Sequence, residues 1–193
     1  MRARVTGFTL MELVVTIVLL AAVLGPMVGF LVSQSRQAVD PLQQVRASQL
    51  AQRLFNQMLS RAYDQNSDLN GGRWRCGETV DGISYAECTA SSDYGPDSGE
   101  SLPLLFNDVD DFDTTAICQQ GLTSCSPASW IAASFFTQGS AGEQQEYANF
   151  AINIRVTPRS GCAARCAVAK HIALQVRLPD GSVLPFAFER GNY

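Results

Sequence analysis

Hydrophobic residues are concentrated near the start of the chain. From Leu13 to Val32 there are twenty consecutive residues without a charge, and Glu12 is the only charged residue between Phe8 and Ser35. A helix rises about 1.5 Å per residue, so this stretch is long enough to cross roughly 30 Å of bilayer hydrocarbon. It is too long for the apolar core of a secretory signal, and no small-residue cleavage site follows it. The pattern predicts a membrane-spanning helix over residues 8–35 that stays attached.

Over residues 36–63 the pattern changes to one in which apolar residues recur at steps of three and four. This periodicity predicts an amphipathic extension of the same helix, so that one long helix runs from Phe8 to about Tyr63. Asp40 is a plausible cap, and Pro41 is either a first-turn proline or a kink. The apolar stripe, which we expect to pack under a sheet, consists of Ala47, Leu50, Ala51, Leu54, Met58, Leu59 and Ala62.

The last third of the chain has the alternation of β-strands. A polar, glycine-rich loop over residues 64–73 ends the helix, and no elements are assigned between Cys76 and Ala141. Pro179-Asp180-Gly181 is a turn, and Val183 to Glu189 returns as a strand. The sequence therefore predicts an α+β protein whose head, residues 64–193, holds an antiparallel meander covered by the helix. The alternating apolar positions are Phe150, Ile152, Ile154 and Val156, then Ile172, Leu174, Val176 and Leu178.

Six cysteines lie in three local couples, which suggests disulfides formed in an oxidising compartment. Each bridge would stabilise a loop with little apolar content, by roughly 2–3 kcal/mol for loops this short. Cys162 and Cys166 cannot bond within a regular helix, because i and i+4 Cβ atoms lie too far apart. Their segment must therefore be a turn or the end of a hairpin. The predicted pairs are Cys76–Cys88, Cys118–Cys125 and Cys162–Cys166.

Metal sites are the alternatives to these structural interpretations. Cys162, Cys166 and His171 provide three possible zinc ligands, but no matching Cys-x-x-Cys pair follows. We expect His171 to be a strand residue facing solvent. Two acidic stretches suggest calcium weakly, so no metal or other cofactor is predicted beyond a weak possibility of Ca²⁺. The run of acidic residues from Asp108 to Asp113 is more simply interpreted as a solvated loop. The oxygen ligands in question are Asp64, Asn66 and Asp68, and then Asp108, Asp110, Asp111 and Asp113.

Composition argues against two classes of function. The formal net charge of the 193-residue chain is −4, and an acidic head is poorly suited to nucleic acid, whose binding depends on Lys and Arg. The chain has one histidine, no G-x-S-x-G sequence and no P-loop. We therefore expect no enzymatic activity.

The N-terminal seven residues are short, basic and end in Gly7. Arg2 and Arg4 favour a cytoplasmic N-terminus, which places everything after Ser35 outside. A carboxylate such as Glu12 costs roughly 2.5–3.5 kcal/mol near the bilayer centre and less near an interface. It should therefore have a partner. Cleavage between Gly7 and Phe8 would create a positive α-amine one helical turn from Glu12, able to pair within one subunit or with Glu12 of a neighbour.

The sequence GFTLMEL over residues 7–13, with its basic leader and long apolar run, closely resembles the processing site of type IV prepilins and pseudopilins. This resemblance implies a leader, residues 1–7, that a membrane prepilin peptidase removes after Gly7, with N-methylation of Phe8. Glu12 corresponds to the glutamate that sets the register during assembly. The implied partners are other pilins, the inner-membrane assembly platform and the lipid bilayer. The implied location is the inner membrane, single-pass with a periplasmic head, and then a surface pilus.

Gly25-Pro26 lies in the middle of the apolar run. Proline removes a backbone donor and bends or locally opens a helix. The resemblance implies that such a break is common in pilins. One hypothesis is that the dipeptide eases extraction of the helix from the bilayer, and the other is a tolerated kink with no role.

The head resembles the minor pilins of MSHA (mannose-sensitive hemagglutinin) pili. The similar stretches are residues 41–67, 71–77, 102–113 and 190–193, whereas residues 114–145 match no family pattern. This implies a low-abundance subunit that helps to start or cap a pilus. Two alternatives stay open: a minor pseudopilin of a type II secretion system, and a tip adhesin that binds a receptor or an ion.

Overall fold

The computed structural model describes residues 10–68, 74–137 and 141–193, with the backbone alone for residues 29–40, 141 and 143. The chain divides into two compact units, Met1–Gln43 and Gln44–Tyr193. The predicted leader, with Gly7 and Phe8, lies outside the described residues.

The first element is the helix α1, Leu10–Leu59. Its segment Leu10–Val28 has a mean hydropathy of 2.3 and none of it is buried within the protein. By length and composition this segment is able to cross a membrane, which agrees with the predicted single-pass anchor. The predicted end near Tyr63 is wrong by four residues. The chain leaves the helix because Ala62 N donates to Asn107 O (3.2 Å) and pairs with the 107–108 segment instead.

The helix is continuous through both of its prolines, Pro26 and Pro41. Gly25 and Pro26 therefore do not break α1, and Asp40 does not cap a new helix before Pro41. A proline removes only one backbone hydrogen bond, and the bonds on either side still hold the neighbouring turns. The effect of Gly25-Pro26 on assembly stays a prediction.

The second unit has its core between α1 and a four-stranded antiparallel sheet. The strands are β3 (Ile131–Ala132), β4 (Ala151–Pro158), β5 (Ala169–Arg177) and β6 (Val183–Gly191), in that spatial order. The predicted meander is thus confirmed. Its buried face is formed by alternate residues, so Ile154 lies opposite Leu174, and Leu174 opposite Phe186.

Most of the predicted helix stripe lies in this core. Ala47, Leu50, Ala51, Leu54 and Met58 are at most 1% exposed. The neighbouring Phe55 contacts the ring of Phe188 edge to face, with centroids 4.5 Å apart. Leu59 was placed wrongly in the stripe, since it is 45% exposed at the last residue of α1.

The turn between β5 and β6 has the predicted residues. Leu178 N donates to Ser182 O (2.8 Å), and the Asp180 side chain accepts from Ser182 N (2.9 Å). Gly181 has a φ of 89°, a conformation that favours glycine.

The segment that the sequence left unassigned contains short elements. These are β1 (Thr79–Val80), β2 (Ile83–Ser84), α2 (Thr114–Gln119) and α3 (Ala141–Glu146), with 3₁₀ turns at Asp110–Phe112 and Ala133–Phe135. Gly95 packs directly against α2, and a Cβ there would lie 2.3 Å from the Ala116 Cβ. The close approach, together with a φ of +131°, requires glycine at this position.

All three predicted disulfides are present. The Cα atoms are 4.8 Å apart for Cys76–Cys88, 5.9 Å for Cys118–Cys125 and 5.3 Å for Cys162–Cys166. The first bridge is buried beside Tyr63 in a small cluster separate from the main core. The last bridge lies in the non-helical connection between β4 and β5, as the spacing required.

Candidate functional site

Two features outside ordinary core packing stand out. One is Glu12, in the first described turn of the apolar helix. The Thr16 hydroxyl donates to the Glu12 backbone carbonyl (2.5 Å). This bond lies within the helix and does not involve the Glu12 carboxylate. The other feature is a buried polar cluster in the head, which we call the Lys170 cluster and define as Lys170, Asp64, Asp110, Tyr63 and Tyr94.

Strand β5 carries Lys170 into the head. Side chains alternate across a strand, and Lys170 is in phase with Ile172 and Leu174, which face the core. Its side chain has no exposed surface. A lysine is almost never fully buried unless it is paired, because removing an ammonium ion from water costs several kcal/mol or more.

The Lys170 amine has three acceptors, which matches the donor capacity of an ammonium group. It donates to the Tyr63 carbonyl (2.8 Å), to Asp64 Oδ2 (3.1 Å) and to Asp110 Oδ1. The two carboxylates are themselves almost completely buried. The lysine thus joins the segment that follows α1, the 3₁₀ turn at residues 110–112 and strand β5.

Two aromatic rings cover the amine. Lys170 Nζ lies 4.7 Å from the ring centroid of Tyr63 and 4.8 Å from that of Tyr94. Both distances are typical of cation–π contacts. The Tyr63 hydroxyl is held in turn by the Cys166 carbonyl, to which it donates (2.6 Å). Burial raises the pKa of both phenols, so they stay protonated at ordinary pH.

Asp64 is held from several sides. Its carboxylate accepts from Asn66 N (3.0 Å), Thr89 N (2.9 Å) and the Thr89 hydroxyl (3.1 Å), besides Lys170. The Thr89 contacts connect the loop after α1 to the segment that follows Cys88. Asp64 is therefore an anchoring acid, stabilised by four donors.

The acidic run 108–113 is not the solvated loop that the sequence favoured. Asp108, Asp110, Asp111 and Asp113 are all at most 5% exposed. Asp108 Oδ1 accepts from Asp110 N (2.9 Å) and Asp111 N (3.3 Å), and Asp111 Oδ2 accepts from Asn107 N (2.9 Å) and Asp108 N (3.0 Å). The acids fold the run back on itself, because burial would otherwise leave these backbone donors unpaired.

Asp113 ends the run as a helix cap. Its carboxylate accepts from Thr115 N (2.8 Å) and Ala116 N (3.2 Å) at the start of α2, and from Val156 N (3.0 Å) on strand β4. Aspartate is a preferred N-cap for this reason. The residue therefore fixes α2 to the sheet.

Three buried groups in this region have raised pKa values, for different reasons. Burial, together with the negative charges of Asp110 and Asp111, raises the pKa of Asp108 to about 10. Burial raises the pKa of Asp111 to about 8, although its backbone donors oppose the shift. For Lys170, burial alone would lower the pKa, but the carboxylates of Asp110, Asp108 and Asp64 outweigh it and raise the pKa. The lysine is thus the positive centre of an acidic interior.

Several of the residues suggested as metal ligands are bonded to protein groups, and the weak possibility of Ca²⁺ stays a prediction. The ammonium group of Lys170 lies between Asp64 and Asp110, where a cation bound by both acids would have to lie. Ligand atoms of Asp64, Cys76 and Cys88 lie within 4.8 Å of one another, but the two cysteines are joined as a disulfide and are not thiolate ligands. Cys162 and Cys166 are likewise bonded to each other, which removes them from the suggested zinc site.

His171 lies on the face of β5 opposite Lys170. It is half-buried, and its backbone carbonyl accepts from the Thr157 hydroxyl (3.4 Å). The predicted strand position is confirmed, whereas the side chain is half-buried and does not fully face solvent as expected.

Sequence reasoning missed Lys170. Two signals were available: the residue is in phase with the apolar positions of its strand, and it is the only lysine in a chain with thirteen arginines. Neither signal identifies Asp64 or Asp110 as its partners, because those residues lie far away in the sequence.

Comparisons with family models, curated proteins and solved structures gave no match to this chain.

Proposed function

We propose that this chain is a minor pilin of a type IV, MSHA-like pilus, and that it helps to initiate or cap filament assembly. The observation that carries the proposal is the N-terminal pattern: a basic seven-residue leader ending in Gly7, then Phe8, Glu12 and an apolar helix. The architecture supports it, since a helix able to span a membrane continues into a helix that packs on an antiparallel sheet.

The mechanism is electrostatic. Removal of residues 1–7 leaves a positive amine on Phe8, in an environment where an unpaired charge is unfavourable. Glu12 of a neighbouring subunit neutralises this amine when the two helices reach the correct axial offset. Because charges in a low-dielectric medium interact strongly, other offsets that leave both groups unpaired are disfavoured.

The sequence of the head is the basis for proposing a minor subunit and not the bulk subunit of the pilus. Its resemblance to MshD-like minor pilins of MSHA pili covers residues 41–67, 71–77, 102–113 and 190–193. In the structure these stretches contain the end of α1, Asp64, the buried acids and the last residues of β6. The proposed partners are other pilins, the prepilin peptidase and the inner-membrane assembly platform. The head faces the periplasm before assembly and the cell surface afterwards.

Processing is tested by changing the residue before the cleavage position. Gly7→Leu is expected to block leader removal, because a bulky side chain replaces the small residue next to the scissile bond. The measurement is the apparent mass of the chain on an immunoblot of cells that make the prepilin peptidase. Thr6→Ala is a matched control in the leader and should be processed. Equal processing of Gly7→Leu and the unaltered chain would contradict the proposal.

A secretion-system pseudopilin would share the same N-terminal residues. The two functions are separated by the site of recovery: we expect the chain in sheared surface pili of a strain that lacks a type II secretion system. Recovery only where a secretion system is present would favour the pseudopilin.

A further inference from the structure

The Lys170 cluster contains the groups needed for a covalent bond between two side chains. We infer that the amine of Lys170 and the carboxyl group of Asp110 condense to an intramolecular amide, which joins strand β5 to the 3₁₀ turn at residues 110–112. The bond would form whether or not the chain enters a filament.

Geometry is the first support. Lys170 Nζ donates directly to Asp110 Oδ1, so the nitrogen is already next to the carbon that it would attack. Both side chains are at most 3% exposed, and their backbones belong to ordered elements of one core. Holding two reactants in this way is equivalent to effective concentrations of about 10⁵–10⁸ M in well-oriented intramolecular reactions.

The choice of amino acid is the second support. The chain has thirteen arginines and a single lysine, and the lysine is the cation placed in the interior. A guanidinium group stays protonated in proteins and is not a nucleophile, whereas a lysine amine becomes a nucleophile when a neighbouring carboxylate takes its proton. The buried position therefore has the one cationic side chain that is able to form an amide.

The two acids have different environments, which assigns their roles. Asp64 accepts from two backbone N–H groups and the Thr89 hydroxyl in addition to Lys170, and these donors hold its carboxylate in place. The Asp110 carboxylate accepts from Lys170 and also has a side-chain hydrogen bond with Asp108. Lys170 Nζ lies closer to Asp110 Oδ1 than to Asp64 Oδ2, so Asp110 is the acid whose carboxyl carbon the amine would attack.

The reaction conserves atoms and needs no oxidant. A proton passes from the Lys170 ammonium to the Asp110 carboxylate along their hydrogen bond, without changing the net charge of the cluster. The neutral amine attacks Cγ of Asp110, and the C–N bond forms. The Asp64 carboxylate, 3.1 Å from Nζ, accepts the proton released by nitrogen and returns it to the departing hydroxyl group. The C–O bond breaks, and one water molecule leaves.

The surroundings favour the product. An amide is neutral, so condensation removes one buried positive charge and one buried negative charge. The rings of Tyr63 and Tyr94 lie over the amine and limit access of water, which would reverse the reaction. Asp64 keeps its three other donors after the lysine has lost its charge.

The single lysine makes the test direct. The full-length chain, purified in detergent, is denatured and reduced; its intact mass is measured and it is digested with an endoproteinase that cuts only after lysine. We expect a mass lower than the sequence mass by one water, and complete loss of cleavage between Lys170 and His171. Lys170→Arg should have its full sequence mass and supplies the uncut control for the digestion.

The possible results distinguish the amide from an ion pair and from loss of water at another position. The full sequence mass with release of residues 171–193 would show that the pair is only an ion pair and would overturn the inference. Loss of water with normal cleavage would place the dehydration elsewhere, with the same consequence. Fragmentation should locate the bond between Lys170 and Asp110, and Asp110→Ala should restore both mass and cleavage. A bond mapped to Asp64 would overturn the assignment, and the measurement on the unaltered chain decides even if Asp110→Ala fails to fold.

Discussion

Replacing Glu12 with alanine is expected to leave the chain anchored in the membrane but to reduce its incorporation into filaments by a factor of one hundred or more. The substitution makes the helix more apolar, so insertion has no reason to weaken. The Phe8 amine of a neighbouring subunit, however, loses its partner. Removing one member of a buried ion pair costs roughly 3–5 kcal/mol, and about 1.4 kcal/mol corresponds to a tenfold change in an equilibrium.

The measurement compares the chain in membranes with the chain in sheared filaments by quantitative immunoblotting. Thr16→Ala is the matched control, because Thr16 is one turn from Glu12 and its hydroxyl bonds only the Glu12 backbone carbonyl in the described contacts. This control should be incorporated normally. If Glu12→Ala enters filaments as well as Thr16→Ala does, the register mechanism is wrong.

The second large effect is expected from Lys170→Met in the head. Methionine has a similar length but no amine, so it is able to make neither the ion pairs nor the inferred amide, and Asp64 and Asp110 are left buried without their shared partner. The expected loss is roughly 3–5 kcal/mol in the free energy of unfolding. For a chain of this size it corresponds to a decrease of roughly 6–20 °C in melting temperature.

Both tryptophans, Trp74 and Trp130, lie in the head, so intrinsic fluorescence of the detergent-solubilised chain reports its unfolding. Arg159→Met is the control, since Arg159 pairs with Glu189 at 3.8 Å with both side chains about half exposed. Such surface pairs contribute about 0–1 kcal/mol. Equal melting temperatures for Lys170→Met and Arg159→Met would show that the cluster does not hold the head together. A double variant, Lys170→Met with Asp110→Leu, should recover part of the loss, because Asp64 keeps three other donors.

The parts of this fold that the sequence predicts are those set by local periodicity. Apolar residues at helical spacing predicted α1 with its buried Leu50 and Leu54, and alternation predicted the strands on either side of the 179–181 turn. The disulfides were predictable because each links cysteines at most twelve residues apart. In all these cases the relevant partners are neighbours along the chain.

The burial of the acidic run was not predictable in this way. Five of residues 107–113 are polar and the run reads as a loop, but one of its buried acids, Asp110, is paired with a lysine sixty residues later. The prediction of where α1 ends was wrong for a related reason. Ala62 continues the apolar spacing, but its backbone pairs with residues 107 and 108, a contact that periodicity does not encode.

The proposal that this chain is a type IV pilin depends on removal of the leader between Gly7 and Phe8. One measurement tests that step directly. The protein should be recovered from assembled filaments and its N-terminal residue determined by mass spectrometry. The account predicts an N-methylated phenylalanine, Phe8, as the first residue. Residues 1–7 still attached to filament-derived protein would contradict both the processing step and the pairing of a new amine with Glu12.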